Sequence, residues 1–114
     1  MESYKRVLFI CEANKLRSPT AAALYRHKVG LEVKSAGFSA DSPVKLSEEL
    51  LEWADKIFVM EKRHRNKIRK KFSELYKQKR IICLYIPDEF EYMEPGLVKL
   101  LTEKLSRFLG PPGN

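Results

Sequence analysis

Three short apolar runs, Val7 to Ile10, Lys56 to Met60 and Ile81 to Ile86, do most to limit how this chain can fold. Each is bounded by charged or turn-forming residues and is too short for a buried helix, so each reads as a strand covered on both faces. Leu31-Glu32-Val33-Lys34-Ser35 alternates apolar and polar residues and reads as a further strand, ended by the turn Ser35-Ala36-Gly37. Helical patterns separate these strands. Strands alternating with helices imply an α/β chain with a parallel sheet, helices on both faces and right-handed crossovers. In such sheets ligands bind beyond the carboxyl ends of the strands, and both Cys11 and Asp88 fall there.

The helices are read from caps and spacing. Ser18 as N-cap, Pro19 at the first helical position and Ala21 to Leu24 predict a helix running to about Val29, with Gly30 as its left-handed stop. Ser47 caps a short second helix, with Leu46 and Leu51 spaced as a hydrophobic staple. Trp53 on that helix reads as a packing residue rather than a stacking platform for substrate. Residues 62–78 are expected as one helix, with Ile68, Phe72, Leu75 and Tyr76 on its inner side. A final helix is expected from Glu94 to Leu109, with Leu97, Leu100, Leu101, Leu105 and Phe108 facing inward. At 114 residues the chain is expected to form one domain over 1–109, with 110–114 fraying.

The junction Cys11-Glu12-Ala13-Asn14-Lys15-Leu16-Arg17-Ser18-Pro19 joins the first strand to the first helix. Successive backbone N–H groups in such a loop form an anion nest, and the helix adds its positive end. A cysteine facing that field is favoured as a thiolate, which is the nucleophilic form. Arg17 supplies a planar fork of donors that suits two oxygens of one phosphoryl group.

With its preceding apolar strand, internal Asn14, trailing Ser18-Pro19 and alanine-rich helix, the spacing Cys-x5-Arg resembles the signature loop of the low-molecular-weight protein tyrosine phosphatases. The resemblance implies a flavodoxin-like, phosphotyrosine phosphatase I-like three-layer sandwich with four parallel strands in the order 2-1-3-4. It also implies hydrolysis of phosphotyrosine or another phosphate ester through a phosphocysteine on Cys11. Arg17 and the loop residues Glu12, Ala13, Asn14, Lys15 and Leu16 would hold the phosphate, Ser18 would stabilise the thiolate, and Ser35 would support Asn14. The stretch Ile86-Pro87-Asp88-Glu89-Phe90 is similar to the family's acid loop, making Asp88 the candidate proton donor and Phe90 the candidate aromatic wall. Glu89 stands where the family has proline, and Glu89 and Glu91 are alternative acids. Ala13 replaces the usual loop glycine, which would strain the nest if that residue needs positive φ. Leu16 replaces a second cysteine, and the connection after Gly37 is shorter than in typical members, implying a more open mouth.

Lys and Arg total 22 against 15 Asp and Glu, a net charge of +7, which suits anionic partners. Phosphorylated proteins and small phosphate esters are the expected ones. The basic stretch 62–80 reads either as a solvated face or as a docking surface for an anion. Nucleic acid is less favoured because aromatic residues suited to base stacking are sparse there. Cys11 and Cys83 suit a reduced, cytoplasmic setting rather than a disulfide framework. Neither a membrane span nor a signal peptide is expected. Cys11, Cys83, His27 and His64 lack metal-ligand spacing, so neither metal nor cofactor is expected, and His27 reads as a complement to a helix dipole. Thioredoxin-coupled arsenate reduction would need a third cysteine. A phosphate-binding module without turnover is the reading from a different class, and the same chemistry on an RNA phosphate is a third.

Overall fold

The computed structural model describes residues 5–113. In chain order these form β1 (Lys5–Cys11), α1 (Arg17–Tyr25), β2 (Leu31–Gly37), α2 (Glu48–Trp53), β3 (Lys56–Val59), α3 (Lys62–Lys71), α4 (Ser73–Gln78), β4 (Arg80–Cys83) and α5 (Pro95–Leu109). The four strands make one parallel sheet in the order β2-β1-β3-β4, as the resemblance implied. Between β1 and β3 the chain order reverses direction across the sheet, which opens a crevice at their carboxyl ends.

Alternation along the central strands builds two cores. Val7, Phe9, Cys11 and Phe58 point to the side covered by α1 and α5, where Phe9 and Phe58 stack at 5.5 Å. Leu8, Ile10, Ile57 and Val59 point to the side covered by α2, α3 and α4. Both faces of β1 and β3 are therefore dry, which is why their sequences are continuously apolar. Each fully buried side chain of this size is worth about 1.5–3 kcal/mol. Trp53 packs at the second core, with the Lys34 ammonium 4.5 Å from its ring centroid.

Several boundaries differ from the sequence reading. α1 ends at Tyr25 rather than near Val29, because Tyr25 turns inward and donates from its hydroxyl to the Gly110 carbonyl at 2.8 Å. Gly30, with φ +88°, serves the turn into β2 instead of stopping the helix. Leu16, not Ser18, is the N-cap, and the Ser18 hydroxyl is spent beside Cys11. Pro19 still lies in the first turn, where its missing N–H has no intrahelical partner to lose.

The helix expected over 62–78 is broken at Phe72, whose backbone leaves the helical region at φ −130° and ψ 56°. Its N–H caps α3 on the Ile68 carbonyl, and its carbonyl restarts the chain as α4. The redirected chain lets Lys79 Nζ donate to the carbonyls of Glu52 and Ala54, at 2.7 and 2.8 Å. β4 stops at Cys83 because Tyr85 adopts positive φ, although the Leu84 and Ile86 N–H groups still reach Val59 and Met60. Phe108 lies edge-on to Phe58 but stays partly exposed. The tail expected to fray is tied twice: Gly110 accepts from Tyr25, and Pro111 accepts from Lys28 Nζ at 2.7 Å. Asn114 lies outside the described residues. Among those described, no helix is long and apolar enough to cross a membrane.

Candidate active site

Cys11 ends β1 facing the α1 side, and the loop that follows it closes onto the first turn of α1. Its Sγ lies 3.1 Å from Ser18 Oγ, in a buried environment. Asn14 organises the loop from within. It takes φ +56°, donates from Nδ2 to Ser18 at 3.0 Å and to Ser35 at 2.9 Å, and accepts the Val44 N–H on Oδ1 at 3.1 Å. Asparagine tolerates the left-handed region better than most residues, and here three hydrogen bonds hold it there.

The loop's outward side is equally committed. The Glu12 carbonyl accepts from the Phe38 N–H, the Ser39 N–H and the Ser39 hydroxyl. In a trans peptide the Ala13 N–H points the opposite way, toward the pocket. Among the described residues, the backbone N–H groups of Glu12 to Leu16 donate to no other protein group. Ala13 does not have positive φ, so the alanine in place of glycine leaves the nest unstrained. Gly37 is the indispensable glycine: a Cβ there would lie 2.7 Å from the Asn14 nitrogen and 2.4 Å from Ser42 Oγ.

Arg17 is almost fully buried, and its Nη1 is fixed by the Glu61 carboxylate at 2.6 Å and the Ile86 carbonyl at 2.8 Å. Its Nε, also buried, has no hydrogen-bond partner, with Asp88 3.7 Å away. One edge of the guanidinium is thus anchored, leaving a buried donor without a partner. Glu61 remains ionised to about pH 2, first through its hydrogen bond from Arg63 and then through Arg17, against the opposing effect of burial. His64 is buried beneath this group, and burial pushes its imidazole down to about 4. Its Nδ1 accepts the Glu61 N–H at 3.1 Å, so the proton of the neutral ring sits on Nε2.

A cavity of about 150 Å³ is lined by Cys11, Glu12, Ala13, Lys15, Leu16, Arg17 and Asp88. The candidate nucleophile, the loop and the candidate acid meet there. The Asp88 side chain is 58% exposed, at the solvent edge of this cavity. Lys15 is drawn outward to Asp41 at 2.9 Å, and Glu12 is held by Arg63 and Lys67, both at 3.0 Å. Burial opposes the Glu12 charge, but Lys67 and then Arg63 hold its carboxyl below the ordinary range. Phe90 is not brought to the cavity; its ring turns toward Gly96 at the start of α5 and packs on the core. Among the described residues no group of three His, Cys, Asp or Glu side chains is placed to hold a metal ion.

Glu61, His64, Gly37 and the Ile86 carbonyl are site components that the sequence reading missed. Glu61 had a usable signal, since it follows the apolar run of β3 just as Glu12 follows that of β1.

No protein-family model matches the chain. A curated relative, the protein-arginine-phosphatase of Geobacillus stearothermophilus, is 33% identical over 60% of this chain, and the match spans 63% of the relative's own length. The solved YwlE arginine phosphatase from Geobacillus stearothermophilus superposes with a TM-score of 0.69 and 26% identity, covering 92% of both chains. The tyrosine phosphatase Wzb of Escherichia coli K30, solved with phosphate, gives a TM-score of 0.74 at 19% identity over 92% of this chain and 96% of its own. A low-molecular-weight protein tyrosine phosphatase of Streptococcus pyogenes gives 0.72 at 18%, over 92% and 93%; at these identities the last two speak for the fold alone. Sheet order and the loop from Cys11 to Arg17 thus sit in the fold that these arginine and low-molecular-weight tyrosine phosphatases have, and the chain is similar to them along most of its length.

Proposed function

We propose that the protein is a cysteine-dependent phosphatase that removes phosphoryl groups from proteins or small phosphate esters through a phosphocysteine. The observation that carries this reading is that Cys11, Arg17 with its unpartnered Nε, and the loop residues Glu12, Ala13, Lys15 and Leu16 with unpartnered N–H groups line one small cavity with Asp88 at its edge. A cavity of about 150 Å³ suits a phosphoryl group with part of its leaving group.

In the first step the Cys11 thiolate attacks phosphorus and forms the S–P bond as the P–O bond breaks. The leaving oxygen takes the proton of Asp88. Loop N–H groups and Arg17 hold the equatorial oxygens, where charge concentrates in the transition state. Ser18 stabilises the thiolate, and Asn14 with Ser35 keeps the loop in shape. In the second step water gives its proton to Asp88, attacks phosphorus and expels the thiolate, releasing inorganic phosphate. The two free cysteines suit a cytoplasmic setting.

A second substrate, N-phosphorylated arginine, is supported by the 33% identical relative's being a protein-arginine-phosphatase and by the carboxylates of Glu12 and Asp88 lining the cavity. These would complement a guanidinium leaving group. The test is hydrolysis of p-nitrophenyl phosphate against pH by the wild type, Cys11→Ser and Asp88→Asn. Loss of turnover in the first variant and of one limb of the pH profile in the second is expected. Saturable vanadate binding without any wild-type turnover would make the protein a binding module instead. Parallel phosphotyrosine and phosphoarginine peptides then separate the two substrates.

A further inference from the structure

We infer that α3 is a docking strip for acidic residues that flank the phosphorylated residue of a protein substrate. This rests on the phosphatase reading above and adds the class of sequence the enzyme selects.

Position comes first. The start of α3 is tied to the phosphate loop by Glu61 on Arg17 and by Arg63 on Glu12. An open cleft of about 440 Å³ lies between that first turn and residues 85–88, walled by Met60, Lys62, Tyr85, Ile86 and Pro87. Asp88 lines both this cleft and the phosphate cavity, so the two are neighbours. Its apolar walls suit a side chain next to the phosphorylated residue.

Charge comes second. Arg63 and Lys67 are occupied by Glu12, but among the described residues Lys62, Arg65, Arg69, Lys70 and Lys71 form no ion pair. The last three sit in the final turns, where the helix dipole favours cations. That explanation fails for Lys62 and Arg65, which stand in the opening turns against the positive end of the dipole, with no acidic residue in the first turn. Lys62, Arg65 and Arg69 follow helical spacing and form one stripe, in which Lys62 and Arg69 are exposed and Arg65 is half-buried. Seven residues of helix rise about 10 Å, the reach of about three residues of extended chain. Following Asp88 in the chain, Glu89 and Glu91 are exposed and disfavour acidic chain on their side.

The shape favours a polypeptide over a nucleic acid: the strip is one helix long and leads into an apolar cleft and a cavity for one phosphoryl group. The test uses paired peptides carrying phosphotyrosine, and a matching pair carrying phosphoarginine, flanked by three glutamates or three glutamines. The wild type should prefer the glutamate peptide by about fivefold to tenfold in kcat/KM, through KM, as expected for a few exposed ion pairs, and lose the preference at high salt. In Arg65→Glu/Arg69→Glu the ratio should fall to one or below. Fluorescence anisotropy on Cys11→Ser protein reads the same preference as binding, so docking is measured even if turnover is absent. Absence of p-nitrophenyl phosphate hydrolysis would instead count against the phosphatase reading. No glutamate preference in the wild type, a preference indifferent to salt, or an RNA oligonucleotide that binds more tightly and displaces the acidic peptide would overturn the inference.

Discussion

The two halves of the site are built in opposite ways. Residues 11–18 are over-determined around the buried Cys11, Asn14, Arg17 and Ser18: the Asn14 side chain makes three hydrogen bonds, the Glu12 carbonyl accepts three, and Arg17 Nη1 has two acceptors. The segment from Pro87 to Tyr92 is mostly exposed, flanked by positive φ at Tyr85 and Met93, with Asp88 more than half open to solvent. Electrostatic stabilisation of a transferring phosphoryl group requires donors fixed before substrate arrives. A proton donor must meet different leaving groups and return as a base, which an open arm allows. Changes in the loop should therefore abolish binding and chemistry together, and changes in the arm should act on the proton alone.

The largest effect is expected from Arg17→Lys. A lysine keeps the charge but loses the fork that bonds Glu61 and Ile86 while leaving Nε free, and kcat/KM should fall by about 10²–10³. Retention of wild-type kcat/KM would break the distinction at its strongest point. Gly37→Ala comes next, because the new Cβ must displace the Asn14 backbone or Ser42. Urea unfolding should show a loss of about 1–3 kcal/mol, accompanied by weaker phosphate inhibition. On the arm, Phe90→Ala removes only half-buried packing beside Gly96 and should lower kcat a few-fold with unchanged phosphate inhibition. Weakened phosphate inhibition in that variant would mean that the arm helps to build the cradle.

The smallest effect sharpens the same contrast through pH. His64 takes up its proton at about 4 in the folded chain but at the ordinary imidazole value when unfolded. Between those values the unfolded state binds more protons, so stability falls as pH drops through the window. Glu61, held down to about 2, adds a loss below the usual carboxylate range, since protonation there again favours the unfolded chain. Thermal melts should fall progressively from neutral pH toward pH 3, and His64→Gln should flatten the upper part of that slope.

The same contrast explains what could be read from the sequence. The loop was legible because strand, Cys11, Asn14, Arg17 and helix are adjacent in the chain and each residue type serves one chemical need. The parallel sheet followed from alternating strands and helices, and its order from the family resemblance that this loop carries. What could not be read was long-range: Glu61 meets Arg17 across 44 residues, and Ile86 meets it across 69. Gly37 looked like an ordinary turn glycine, and its closeness to Asn14 exists only once β2 lies beside β1. Phe90 failed for the converse reason, since spacing from Asp88 says nothing about whether an aromatic ring turns to the pocket or to α5. The break at Phe72 escaped because its local sequence continues a helical pattern.

The most direct measurement is rapid acid quench of the enzyme during turnover of p-nitrophenyl phosphate, followed by peptide mapping of the phosphorylated residue. A phosphoryl group on Cys11, absent in Cys11→Ala, is expected. Turnover with an unmodified Cys11, or with phosphate on another side chain, would contradict it.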